Sequence, residues 1–206
     1  MLAKRDISPD DTIPFAGATI EVIRAIQQRG LLNRWLSLYS PLQRAPPFEE
    51  FHLEAADPKL TSAVLIENGR PQIVIGSAGA RLDKVYGAAG GGRELGEYLG
   101  PQLARVIMPI YQTCIRCGLP VYTVSQVQDR ENRKVDLERL LLPFGDGKRI
   151  THIVASFETI SAEGSFDIDR LMREQLPVDV VRAVIDQKLY FERPSRIAAR
   201  DRIEFE

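Results

Sequence analysis

Two thiols and two imidazoles are the first groups to weigh for chemistry. Cys114 and Cys117 form a C-x-x-C pair, the spacing used by zinc sites and by thiol–disulfide exchange. Zinc needs a second pair of ligands, and the two histidines, His52 and His152, lie far apart with no ligand-spaced companion. A redox pair opens a helix directly after a strand, where the helix N-terminus lowers a thiol pKa. Here the pair closes a helix-spaced stretch that Gly118-Leu119-Pro120 ends, so both cysteines read as structural. His152 reads as a solvent-facing or hydrogen-bonded strand residue and His52 as a surface residue; no metal is assigned to either. Gly90-Gly91-Gly92-Arg93 lacks the G-x-G-x-x-G frame and the Lys-Ser/Thr ending of a phosphate cradle and reads as a connector. With no Ser-His-Asp set, no H-E-x-x-H and no paired carboxylates on a predicted cleft, the chain reads as a non-enzyme.

Arg139 is more informative. Along residues 134–142 a period of two puts Val135, Leu137, Arg139 and Leu141 on one face, with Lys134, Asp136 and Glu138 on the other. A guanidinium thus interrupts an apolar face. Burying it alone costs several kcal/mol, so it must meet a carboxylate, a set of carbonyls or an anionic ligand. One reading is an internal ion pair with Glu94, Glu97 or Glu158, or a head group that snorkels out at the sheet edge. The other is a clamp for the carboxylate or phosphate of a ligand, and the residues alone leave both open.

The chain that must position these groups has 206 residues, enough for one domain with extensions. Its 27 Lys+Arg against 28 Asp+Glu give a formal charge of -1, so no global basic field speaks for nucleic-acid binding. The longest apolar runs, Val64-Leu65-Ile66 and Leu140-Leu141-Leu142, fall far short of the ~18 residues of a membrane helix. The first residues carry no apolar leader core, which makes the cytoplasm the expected location.

Residues 1–18 lack periodicity and read as a flexible arm. Helical spacing starts at Thr19 with Ile20, Ile23 and Ile26, breaks at Gly30, and restarts through Leu31, Trp35 and Leu38 until Pro41. Residues 63–67 and 71–76 flank Asn68-Gly69, a hairpin signal. A short helix over 78–86 closed by Gly87 and a segment at 95–99 lead to the longest predicted helix, residues 101–117. Its stripe is Leu103, Val106, Ile107, Ile110, Tyr111 and Cys114. Strands are predicted over 119–128, 134–143 and 150–157. From Phe166 the chain reads as helical again, with a second segment from Pro177 and a charged tail. The division is therefore an arm at 1–18, a helical extension and connector at 19–60, a core at 61–160 and a C-terminal helical extension and tail at 161–206.

This order of elements resembles a PAS domain. The passage from Gly76 through Arg81-Leu82-Asp83-Lys84-Val85-Tyr86-Gly87 to Leu95-Gly96-Glu97-Tyr98-Leu99 is similar to the family's route from second strand to short helices. Glu138-Arg139-Leu140-Leu141-Leu142-Pro143-Phe144, then Gly145-Asp146-Gly147 and Ile153-Val154-Ala155-Ser156-Phe157, resembles the ending of one bacterial subfamily. Leu32-Asn33-Arg34-Trp35-Leu36 is similar to that subfamily's N-terminal Trp-containing helix. The resemblance spans about residues 30–160. It implies an α+β fold: a five-stranded antiparallel sheet, short helices over one face, and flanking N- and C-terminal helices.

The resemblance also implies a sensory or signalling role. Haem-binding members carry an axial His on the long helix, and residues 101–118 contain none; the flavin-adduct type needs a Cys in residues 87–100, which has none. The cofactor stays unknown. The expectation is a stand-alone cytoplasmic module acting through homodimerisation and a separate signalling protein. Its apolar positions Ile20, Ile23, Ile26, Leu31 and Trp35, and Leu171, Val178, Val181, Val184, Ile185 and Leu189, would meet a second copy or pack on its own sheet. The alternative is a receptor for an anionic metabolite or nucleotide messenger, with Arg139 as clamp. Tyr86, Met108, Tyr111, Val124 and Phe157 would wall its cavity; each is equally well explained as core.

Overall fold

The computed structural model describes residues 13–52, 60–67 and 71–186. The Asn68-Gly69 turn, the arm before residue 13, the connector at 53–59 and the tail with Leu189 lie outside the described residues.

The described residues form a mixed α+β fold built on a seven-stranded sheet. In chain order the strands are β1 (Ala16–Ala18), β2 (Leu60–Glu67), β3 (Pro71–Ala78), β4 (Val121–Gln128), β5 (Lys134–Gly145), β6 (Ile150–Ile160) and β7 (Val178–Ile185). The helices are α1 (Ile26–Leu42), α2 (Ala80–Tyr86), α3 (Leu95–Leu99), α4 (Pro101–Cys117) and α5 (Leu171–Glu174). The sheet order is β1-β7-β4-β5-β6-β2-β3, with every pairing antiparallel except β1 with β7.

Local sequence sets most of these boundaries. Gly87 (φ 68) and Gly118 (φ 62) take the left-handed conformation that closes α2 and α4. Pro101 occupies the first turn of α4, where its missing N–H costs nothing. The Glu94 side chain accepts the Glu97 N–H at 2.7 Å and caps α3.

Each face of the sheet is covered. On the inner face, α2, α3, α4 and α5 pack over Val121, Val127, Val135, Leu137, Leu141, Ile153, Ala155 and Phe157. On the outer face, Ile23, Leu32, Trp35 and Phe51 pack against Tyr122, Val124, Leu140, Leu142, Phe144, Val154, Ala183 and Ile185. Polar clips hold α1 there: Trp35 Nε1 donates to the Pro143 carbonyl at 2.7 Å, and Gln28 Nε2 to the Ser156 carbonyl at 3.1 Å.

Three sequence expectations are corrected. Among the described residues seven strands replace five because the segments before and after the core each add a strand, both on the β4 side of the sheet. Residues 178–185 are a strand rather than a helix: Val178, Val180, Val181, Val184 and Ile185 make the segment rich in β-branched residues. It buries residues toward both faces, which blurs the period of two into something helix-like. Residues 16–18 of the expected arm pair with it as β1.

The N-terminal helix also differs. Ile20–Val22 is a 3-10 turn, and the helix starts at Ile26, which is 84% exposed. It runs through Gly30 and into Pro41 because burying Leu32 and Trp35 outweighs the cost of glycine, about 1 kcal/mol. Of the N-terminal apolar residues offered as a dimer surface, Ile23 and Trp35 are spent on the chain's own sheet, with Ile20 and Leu31 packed beside them, while Ile26 stays exposed. Among the described residues no helix is long and apolar enough to cross a membrane.

Candidate ligand site

Alternation along β5 turns Val135, Leu137, Arg139 and Leu141 to the inner face, as the period of two predicts. Arg139 is fully buried. Its Nη1 donates to Thr123 Oγ1 at 3.3 Å, while Nε and Nη2 are shut off from solvent and have no hydrogen-bond partner among the described residues. The guanidinium carbon lies 5.4 Å from the centre of the Phe157 ring, and cross-strand register puts Phe157 beside Arg139 on β6.

None of the three proposed carboxylates answers this charge. Glu94 is engaged in capping α3, Glu97 is exposed, and Glu158 pairs in register with Glu138, on the opposite face. The neighbour is instead a second cation. Thr123 pairs with Arg139 on one side and with Arg182 of β7 on the other. Arg182, 8% exposed, donates through Nη1 to the Ile13 carbonyl at 3.2 Å and stacks 4.3 Å from the centre of Phe15. Its Nε is 3.5 Å from Asp179 Oδ2, near enough for an ion pair but not aligned for a hydrogen bond. Asp179 Oδ1 accepts from Ser125 Oγ at 2.6 Å.

Electrostatics follow this crowding. Burial lowers the pKa of Arg182, the Asp179 carboxylate raises it, and the positive charge of Arg139 lowers it again. Over the pair, Tyr111 of α4 is held as a neutral phenol: burial raises its pKa against the opposing pull of Arg139. Asp179 is thus the carboxylate that faces this pair of cations among the described residues, and the N–H donors of Arg139 are underused.

Of the other residues read as cavity wall, Tyr86, Tyr111 and Phe157 belong to the inner cluster and Met108 packs at its margin. Val124 does not join them. It sits in the outer cluster under α1, because the register that turns Thr123 and Ser125 inward turns Val124 outward. The Arg139 guanidinium is enclosed by packing, with Nε and Nη2 inaccessible to solvent. Sequence reasoning missed Arg182, Thr123, Ser125 and Asp179. Arg182 interrupts Val180-Val181-Ala183-Val184 as Arg139 interrupts its own run, a signal legible only once the segment is read as a strand.

The remaining chemical candidates are structural. Cys114 is buried, Cys117 is exposed, and both are free thiols. Burial, with the nearby Cys117, pushes the Cys114 thiol well up. His152 stacks on Phe48 with ring centres 4.5 Å apart; burial lowers its pKa and Glu49 opposes this. His52 is exposed. The glycine loop spends its amides internally: Gly90 N–H on Asp83 and Gly92 N–H on the Ile75 carbonyl. Among the described residues no group of three or more His, Cys, Asp or Glu could hold a metal ion.

Compared with protein-family models, with curated proteins and with solved structures, the chain gives no match.

Proposed function

We propose that the chain is a cytoplasmic sensory module of the PAS kind that receives an anionic small molecule between its sheet and the helices of its inner face. Arg139 and Arg182 supply the counter-charge. The observation that carries this reading is the fully buried Arg139 with two donor nitrogens unmatched. An uncompensated buried guanidinium costs several kcal/mol. A carboxylate or phosphate would fill both vacancies through bidentate bonds, and Thr123 and the neutral Tyr111 would add hydroxyl donors.

Two features of the architecture support the PAS part of the reading. Without β1 and β7 the sheet runs β3-β2-β6-β5-β4, and α2, α3 and α4 form the crossover between β3 and β4. Ligand binding in such a module is read out by a separate signalling protein, and the chain itself performs no reaction. Assembly into a homodimer keeps one specific support. Beyond the three residues paired with β1, the edge of β7 has no partner strand among the described residues and presents Val178 and Val180, each about two-fifths exposed.

A thermal-shift panel of carboxylates and phosphates on the full chain tests the receptor reading. One or more anions should raise the melting temperature of the parent, as a ligand specific to the folded state must. At least one of these shifts should be lost in Arg139→Met. If no anion shifts the parent, or every shift persists at equal size in Arg139→Met, the reading is removed.

A further inference from the structure

Away from the sheet interior, a crevice of about 370 Å³ opens where three chain segments meet at one end of the fold. The end of α1 gives Tyr39 and Arg44, the end of α4 gives Ile115 and Arg116, and the β5–β6 turn gives Lys148 and Arg149. We infer that this crevice is a binding site for a phosphorylated small molecule of nucleotide size, distinct from the proposed interior site.

Charge carries the argument. Four cations line the crevice, Arg44, Arg116, Lys148 and Arg149, against one carboxylate, Asp186, in a chain whose net charge is -1. Arg149 lies 3.8 Å from Asp146, which neutralises it. The C-terminal ends of α1 and α4 also face this region, and each helix end counts for about half a negative charge. Setting Asp186 and these two ends against Arg44, Arg116 and Lys148 still leaves a surplus of about one positive charge. Arg116 bonds Thr113 within its own helix, whereas the head groups of Arg44 and Lys148 have no hydrogen-bond or ion-pair partner among the described residues. They are available donors, set on separate segments.

Shape adds the second part. Gly147 (φ 89) is where the turn comes against Arg44: a Cβ there would overlap the guanidinium, so glycine lets the cation lie on the turn backbone. Arg44 also lines a second crevice of about 360 Å³, with Phe48 and His152. Its side chain is thus shared by two concavities. Tyr39, Ile115, Leu119 and Ile150 add apolar surface to the lining of the first crevice. Its volume falls within the size range of small-ligand sites. Phosphate is favoured over a lone carboxylate because donors converge from three directions, which a tetrahedral group with several oxygens can engage together.

The test titrates pyrophosphate, ATP and adenosine into the full-length protein and follows backbone amide shifts by NMR. The inference expects saturable shifts at Gly118 and at residues 147–150 with pyrophosphate and ATP, none with adenosine, and none with sodium chloride at matched ionic strength. The double variant Arg44→Ala/Lys148→Ala should weaken both phosphate ligands about tenfold or more, with an unchanged far-UV spectrum. Arg44→Glu should do the same if that pair fails to fold, and Arg139→Met should change nothing here. Non-saturating shifts, adenosine binding alone, shifts confined to residues away from the crevice, or unaltered affinity in the charge variants would each overturn it.

Discussion

Arg139 of β5 and Arg182 of β7 flank Thr123 of β4 on the same face of the sheet, so two buried guanidiniums share one row of three strands. Like charges tend to be driven apart in a low-dielectric interior. Here Arg182 is eased by Asp179, the Ile13 carbonyl and the Phe15 ring, whereas Arg139 has the Thr123 hydroxyl and the face of Phe157. The arrangement is costly without an anion, and that cost can be measured.

Replacing Arg139 by methionine removes a buried charge while keeping much of its volume. Urea unfolding of ligand-stripped Arg139→Met should show stability equal to the parent or about 1–4 kcal/mol higher. Thr123→Val acts in the opposite sense, because it takes away the side-chain hydrogen bond that Arg139 makes among the described residues. It should cost about 1–3 kcal/mol. A large loss in Arg139→Met would mean that the guanidinium holds the interior together.

Asp129 ties the β4–β5 turn to residues 161–170. Its carboxylate accepts the Glu131, Arg133 and Asp167 N–H groups and the Arg133 side chain at 2.8 to 3.2 Å. Burial works against ionisation, but these bonds prevail and hold the carboxyl at about 2, below its ordinary 3.8. The unfolded chain therefore takes up the proton first as pH falls. The stabilisation is whole above pH 3.8 and is lost between there and about 2. Asp129→Ala should melt below the parent at neutral pH, and the gap should close over that acid interval. A gap independent of pH would contradict the hydrogen-bond account.

The two thiols should separate kinetically. Cys117 is exposed, while Cys114 is buried, pushed toward the protonated form, and turned to the Leu119 and Leu141 carbonyls at 3.6 and 4.0 Å. A disulfide reagent should titrate one thiol promptly in the native protein and both in denaturant. Prompt reaction of both would show that α4 is not packed on β4 and β5 as described.

Trp35 is the sole tryptophan of the chain and reports on α1. Its fluorescence should change in the same denaturant transition as the far-UV signal, since α1 and the sheet share the outer core. Trp35→Phe orphans the Pro143 carbonyl and should cost about 1–3 kcal/mol. An earlier fluorescence transition would mean that α1 docks as an independent unit.

What the sequence made legible were the elements whose two signals agreed. In α4 a proline start, a glycine stop and an apolar stripe all point one way, and the element runs from Pro101 to Cys117 as predicted. In β5 strict alternation separated Arg139 from Glu138. The misread elements are those in which tertiary packing decided. β7 sends apolar residues to both faces, so its pattern does not distinguish strand from helix, and Arg182 was lost with it. β1 spans only Ala16–Ala18 and exists by pairing with β7. Gly30 and Pro41 are local breakers that docking of α1 overrides. Val124 was misplaced because side-chain type gave its membership, while strand parity decides its face.

Native mass spectrometry of the full chain as purified tests the interior anion site most directly, with parent and Arg139→Met compared under identical conditions. The predicted result is a small-molecule adduct on the parent, released on denaturation as an anion and missing from the variant. The parent at its bare polypeptide mass, or the same adduct on both proteins, would contradict the claim that Arg139 is there to hold a ligand.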